Sequence, residues 1–198
     1  YRKVKNKTKK VYEANITVFD ALKKSDTDSK GEFLLERYVS AHSIIMSFEG
    51  IPAVYFNSLF GKSNDEAKYI ITGNKRDVNR YKWNYKNISK KLDNKNSKQS
   101  IFFQKISNLL SIRRKQKAFH PNASRQNINL GSKIFSFKRI SIDRKQTVIC
   151  ITNLSSITQK AHLDKVYYNW KNLIGSKIKV NNKLLILKPF ETIWLSNR

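Results

Sequence analysis

The sequence predicts an α/β segment followed by an all-β domain, and three observations carry that prediction. Stretches at 33–47 and 101–117 place apolar residues three and four apart, the spacing of a helix with one buried face. Between them "IPAVYF" (51–56) is a short continuous apolar run, which suits a strand buried on both sides in a parallel sheet. Beyond Pro121 the texture changes to short alternating runs joined by polar turns, the pattern of a β-sandwich. The boundary falls between 1–120 and 121–198.

Taken in order, residues 1–10 ("YRKVKNKTKK") read as a basic loop, neither a leader nor the start of an element, so the chain reads as a piece of a longer protein. "VYEANITVFDAL" (11–22) mixes β-branched and aromatic residues, and "KKSDTDSKGE" is turn-rich. In the first helix Phe33, Leu34, Tyr38, Ala41, Ile45 and Phe48 would face inward, and Gly50 would end it. His42 reads as a packed helix histidine, because no second histidine or acid is spaced to work with it. After "IPAVYF" comes a long polar segment to about residue 99. The second helix would turn Phe102, Ile106, Leu109 and Leu110 inward, its basic last turn complementing the helix dipole, with "HPN" (120–122) breaking it. The sandwich strands are expected in "KIFSFKRISID", "QTVICITN", "KAHL", "NWKNLI", "KLLILK" and "FETIWLS".

Composition narrows the function. The chain of 198 residues is 39% hydrophobic, enough for one good core or two small ones. Its 40 basic and 14 acidic side chains give a formal charge of +26, which first suggests a polyanion partner. The lysines, however, are spread over loops, strand ends and helix faces. Lys, Asn, Ile, Tyr and Phe share A/T-rich codons, so base composition alone accounts for the bias, and a nucleic-acid partner is not favoured. The single cysteine, Cys150, excludes an internal disulfide and a multi-cysteine metal site and reads as a buried strand thiol. No apolar run has the length of a membrane span, and neither a metal-ligand cluster nor a nucleotide-binding glycine loop is present.

One cluster has no structural requirement behind it. "TGNKRDVNR" packs Arg76, Asp77, Asn79 and Arg80 into five residues, in the loop that follows "IPAVYF". Helix, strand, long loop and helix form the end of a βα series, and in α/β barrels chemistry is carried by loops after the strands. An arginine there can bridge a carboxylate while donating to a hydroxyl or phosphate oxygen. Asp77 would orient the loop, and Asn79 would bond its backbone. The bland alternative is a surface loop with a local ion pair.

"GIPAVYFNSLFGKSNDEA" followed by "TGNKRDVNR" resembles the last barrel strand and its loop in the α-amylase superfamily of glycoside hydrolases, and within it the sucrose phosphorylase-like subfamily. "YEANITVFDAL" is similar to that subfamily's acceptor-site loop and the start of its seventh barrel helix, and "SIRRKQKAFHPNA" to its final barrel helix and the step into the C-terminal β domain. The resemblance implies that 1–120 is the C-terminal part of a (β/α)8 barrel and 121–198 the terminal β domain. It further implies a retaining phosphorylase that moves glucosyl from an α-glucoside to inorganic phosphate, with phosphate as co-substrate, no organic cofactor, and a cytoplasmic setting. The catalytic carboxylates would precede the acceptor loop, so none lies in this chain, and the N-terminal part would be the chain's partner.

By motif position Arg76 matches the arginine that pairs with an aspartate at the floor of the glucosyl pocket, with Asp77 and Arg80 shaping the loop. Tyr12 and Glu13 match positions facing the departing group and the incoming phosphate. Sucrose-type members carry glutamine at the Glu13 position and aspartate at that of Lys10, whereas "YEAN" and "AFHPN" look more like the glucosylglycerate or glucosylglycerol types. An ionised Glu13 would repel phosphate or a glycerate carboxylate unless Lys9 or Lys10 countered it, or unless it faced a neutral polyol. The acceptor stays open. So do other classes: a superfamily hydrolase or transglucosidase; a basic nucleic-acid module stacking bases on Tyr81, Trp83 and Tyr85; and a glycan-binding β domain using exposed Trp170 or Trp194.

Overall fold

A computed structural model describes residues 13–175, 177–182 and 184–198. The described chain runs through α1 (Val18–Ala21), α2 (Leu34–Ser47), α3 (Phe56–Leu59), α4 (Glu66–Thr72), α5 (Tyr85–Asp93) and α6 (Lys98–Arg114). Then follow β1 (Ser124–Asn127), β2 (Ile134–Ile140), β3 (Thr147–Asn153), β4 (Gln159–His162), β5 (Lys171–Asn172), β6 (Lys179–Asn181), β7 (Leu184–Leu187) and β8 (Thr192–Ser196). No helix among the described residues is long and apolar enough to cross a membrane.

The strands form a five-stranded antiparallel sheet, ordered β1-β2-β3-β8-β5, and a three-stranded one, ordered β4-β7-β6. Alternation along β3 and β8 decides what each face meets. Val148, Cys150 and Trp194 join the cluster built on Tyr38, Met46, Phe102, Ile106 and Leu109 from the helices. Ile149, Ile151, Ile193 and Leu195 point the other way, against Ala161, Leu185 and Leu187 of the smaller sheet. The larger sheet is thus the middle layer between helices and a second sheet. That explains why "TVICIT" reads as an unbroken apolar run: almost all of β3 is buried, on both faces. Each fully buried Leu, Ile or Phe contributes roughly 1.5–3 kcal/mol.

α2 departs from the expected inward face. Tyr38, His42 and Met46, four apart, are buried, but Ile45 is half exposed. The rest of the buried stripe is Arg37 and three serines. Ser40, Ser43 and Ser47 each donate to a carbonyl three or four residues back, which satisfies the hydroxyls inside the helix and makes their burial cheap. Upstream, Asp28 accepts from the N–H groups of Gly31, Glu32 and Phe33 and pairs with the buried Arg37, fixing the turn that launches α2. At the other end, Arg113 of α6 donates to Met46 O and Gly50 O, and Arg139 of β2 donates to Ser47 O, His120 O and Ala123 O. Two buried guanidinium groups thereby occupy the last carbonyls of α2 and tie the helices to the sheet.

Residues 51–55 belong to no strand among the described residues, and Ile51 and Tyr55 are exposed. The expected parallel strand over 51–56 is therefore not formed among the described residues, and Phe56 instead opens α3. The long polar segment is not a loop throughout. It folds into α3, α4 and α5, with Asp65 and Asn84 as side-chain N-caps and Gly73, at φ 67°, ending α4 in the left-handed region. The second long helix also ends earlier than expected, at Arg114, before "HPN" is reached.

Candidate functional site

Two loops meet at the site. The first is 13–17, entering α1, whose cap is the Thr17 hydroxyl accepting from Asp20 N–H. The second is the single 3-10 turn Lys75–Val78 that follows α4. Asn74 launches this turn by accepting the Arg76 N–H at 3.1 Å. Asp77 closes it back on α4, accepting from the Thr72 hydroxyl at 2.8 Å and pairing with Lys68 at 3.4 Å. Those contacts, the hydroxyl first, hold the Asp77 carboxyl below the usual aspartate range.

Arg76 and Glu13, 63 residues apart in sequence, form a two-pronged ion pair. Nε reaches Oε1 and Nη2 reaches Oε2, each at 2.9 Å. This is the fork-on-carboxylate geometry that fixes orientation as well as distance. The Arg76 hydrogen bonds and charge, with Arg80 adding through space, pull the Glu13 carboxyl below the usual glutamate value. Glu13 is therefore an anion at neutral pH, with its charge met by a guanidinium. Both side chains remain partly open to solvent, 47% for Arg76 and 35% for Glu13, so the pair is accessible to a ligand.

The resemblance implied an aspartate beyond this chain as the partner of Arg76, and for Glu13 either a counter-charge from Lys9 or Lys10 or a neutral polyol. In the fold the two residues answer each other. Lys9, Lys10 and Tyr12 lie outside the described residues. Asn79 contributes its backbone: its carbonyl accepts from the Asn57 side chain at 3.4 Å. Arg80 is exposed on the same loop.

Tyr81 and Trp83 are anchors. Tyr81 packs edge-on against Trp83 and lies under the Lys62 ammonium, while the Trp83 indole packs on Phe60 and donates to Asn57 Oδ1 at 2.8 Å. That leaves Tyr85 as the exposed ring of the three, too little for a stacking platform. The glycan-binding alternative loses its main residue, since Trp194 is fully buried against Phe119. Trp170 packs on Tyr167 beside the inter-sheet core.

Sequence reasoning missed the residues that hold the loops. Asn57 is 3% exposed, and its amide also donates to Tyr81 O at 3.1 Å. Asn64 accepts the Thr17 N–H at 2.8 Å, and its own N–H donates to Asp20 Oδ2 at 2.6 Å. Lys98 lies 3.6 Å over the Phe19 ring. Polar residues in an irregular segment leave no periodic trace, and only their spatial partners reveal them. Among the described residues no group of three or more His, Cys, Asp or Glu could hold a metal ion. A concavity of about 450 Å³ on the β1–β2 edge is lined by Asn122, Gln126 and Arg144 among others, none of them from the two loops.

No family model matches the chain. Curated relatives do. The chain is 29% identical to the glucosylglycerate phosphorylase of Escherichia coli over 189 residues, 95% of this chain and 33% of that protein. It is 32% identical to the glucosylglycerate phosphorylase of Allomeiothermus silvanus over 184 residues, 93% of this chain and 31% of that protein. The sucrose phosphorylase of Agrobacterium vitis is 29% identical over 127 residues, 64% of this chain and 23% of that protein. The chain thus spans about a third of the length of the glucosylglycerate phosphorylases it matches. Among solved structures, an AmyP variant in complex with maltotriose superposes with a TM-score of 0.64 at 18% identity, covering 83% of this chain and 35% of that one. The Bacillus licheniformis trehalose-6-phosphate hydrolase does so with a TM-score of 0.61 at 14% identity, covering 87% and 40%. The resemblance to the sucrose phosphorylase-like subfamily therefore holds over nearly the whole chain, and the fold is that of the C-terminal part of the α-amylase-type barrel enzymes with its β-sandwich.

Proposed function

We propose that this chain forms the last barrel strand, the closing helices and the terminal β domain of a retaining α-glucoside phosphorylase, which passes glucosyl to inorganic phosphate and gives α-glucose 1-phosphate. The observation that carries the reading is the Glu13–Arg76 pair, which joins the acceptor-type loop to the arginine loop in a chain similar to glucosylglycerate phosphorylases.

In this reading a carboxylate attacks the anomeric carbon, the bond to the leaving oxygen breaks, and a carboxylic acid donates that oxygen its proton. Phosphate then attacks the same carbon, the base recovers a proton from it, and the carboxylate leaves; two inversions retain configuration. In this reading both carboxylates would come from outside this chain, as the motif positions imply. Its own residues orient the acceptor. Arg76 and Glu13 hold each other, which fixes the two loops against one another where the acceptor would lie. Glu13, neutralised by Arg76, no longer repels a phosphate or a glycerate carboxylate as a bare anion would. That favours 2-O-α-glucosylglycerate over sucrose as the donor. Phosphate is the co-substrate, no organic cofactor is needed, and the cytoplasm supplies the phosphate.

The segment 51–55, in no strand and with Ile51 86% and Tyr55 55% exposed, is where the preceding barrel strands would add. The test is to sequence the DNA upstream of the Tyr1 codon and express any continuous reading frame. The product is then supplied with glucosylglycerate or sucrose, with and without phosphate. Phosphate-dependent glucose 1-phosphate supports the reading, and phosphate-independent glucose overturns it in favour of a hydrolase.

A further inference from the structure

Residues 57–65 lie between the two loops that carry Glu13 and Arg76, and hydrogen bonds leave this stretch on both sides. Toward the arginine loop, the Asn57 carboxamide donates to Asn79 O and Tyr81 O and accepts from the Trp83 indole. Asp65 N–H adds a bond to Val78 O at 2.7 Å. Toward the acceptor-type loop, Asn64 receives the Thr17 N–H and gives its own to the Asp20 carboxylate. The stretch is itself fixed to the core. Gly61, at φ 56°, lets the backbone pass so close to the Phe102 ring that a Cβ there would stand 2.8 Å from it. Tyr38 OH donates to Ser58 O at 2.5 Å.

We infer that residues 57–65 form a bracket that sets the spacing of the Glu13–Arg76 pair, with Asn57 the positioning residue for Arg76 and Asn64 the positioning residue for Glu13. Neither asparagine bonds to Glu13 or Arg76 directly. Each acts through the backbone that carries its target. A two-pronged pair tolerates little displacement, so the geometry of a site that both loops share depends on amides behind it. The role in acceptor placement rests on the phosphorylase reading, whereas the mechanical role does not.

Glu13 reports on the bracket, because its carboxyl is depressed chiefly by the Arg76 hydrogen bonds. The experiment is a carbon-detected NMR titration of the Glu13 side-chain carboxyl in this chain, with Glu13→Gln used to assign the resonance. The parent protein should titrate below the usual glutamate value. Asn57→Ala and Asn64→Ala should each move the midpoint up toward that value, while amide shifts of the β domain stay in place. Trp83→Phe, which removes one bond to Asn57 and keeps a ring, should give a smaller upward shift and serves if Asn57→Ala does not fold. An unchanged midpoint in folded Asn64→Ala, or in both Asn57→Ala and Trp83→Phe, overturns the bracket. These shifts in this chain, with no glucose 1-phosphate from glucosylglycerate or sucrose and phosphate by the protein expressed from the continuous reading frame around it, overturn the phosphorylase reading alone.

Discussion

Arg139 is completely buried, and its loss should be among the costlier single changes in this chain. In Arg139→Met the stem is replaced by a side chain of similar reach, but three hydrogen bonds from a charged donor disappear, to Ser47 O, His120 O and Ala123 O. Bonds to charged groups contribute about 1.5–3 kcal/mol each, so the gross loss is roughly 5–9 kcal/mol. Two effects offset it: the parent guanidinium is desolvated, and its Nε has no hydrogen-bond partner. Removing a buried charge returns several kcal/mol. The expected net destabilisation is about 2–4 kcal/mol, the carbonyls of Ser47, His120 and Ala123 losing their charged donor. The assay is urea unfolding, followed by tryptophan fluorescence, which includes the buried Trp194, and by far-UV circular dichroism for the helices. With a slope near 2 kcal/mol per molar, the midpoint should fall by about 1–2 M. Arg125→Met is the control: its partly exposed pair with Glu49 should contribute under about 1 kcal/mol. A loss below about 1 kcal/mol for Arg139→Met, or a gain, would refute the reasoning that this guanidinium clamps the helices to the sheet.

His42 is buried, its ring tilted against that of Tyr38 with centres 4.4 Å apart and bonded through Nδ1 to Tyr38 O; burial holds its pKa below the usual histidine value. The unfolded state therefore takes up the proton first, so stability is complete above the usual value and falls as pH drops below it. His42→Phe should flatten that slope between about pH 7 and 5 in urea midpoints, and an unchanged slope would contradict the assignment. The Cys150 thiol, pushed up to about 12 by burial, should ignore a disulfide reagent at pH 8 until the chain unfolds; labelling of the native protein would show a looser core. Gly61→Ala meets both the Phe102 ring and a left-handed backbone, and should cost about 1–3 kcal/mol by the same urea assay; a neutral result would mean that the close approach relaxes freely.

What was legible in the sequence follows from what leaves a periodic trace. α6 and the strands β2, β3, β7 and β8 are dominated by apolar residues at periods that match their buried faces, and they stand where the pattern put them. β1 left no trace, because "SRQN" is a polar edge strand without an apolar face, its one strand partner being β2. α4 hides similarly: Ile70 and Ile71 are exposed, and the helix is set by its Asp65 cap and Gly73 stop rather than by packing. The arginine cluster stood out in the sequence by its composition and its place after "IPAVYF". Its partner did not, because an ion pair spanning 63 residues depends on how two loops are hung on Asn57 and Asn64. The serine stripe of α2 reads as polar in sequence and is buried in space because each hydroxyl is satisfied within its own helix.

The most direct test of the central proposal is a proton NMR time course of the protein expressed from the continuous reading frame around this chain, incubated with 2-O-α-glucosylglycerate and inorganic phosphate. The account predicts the α-anomer of glucose 1-phosphate accumulating in step with free glycerate, and no reaction when phosphate is omitted. Free glucose appearing at the same rate with or without phosphate, or the β-anomer of the phosphate ester, would contradict it.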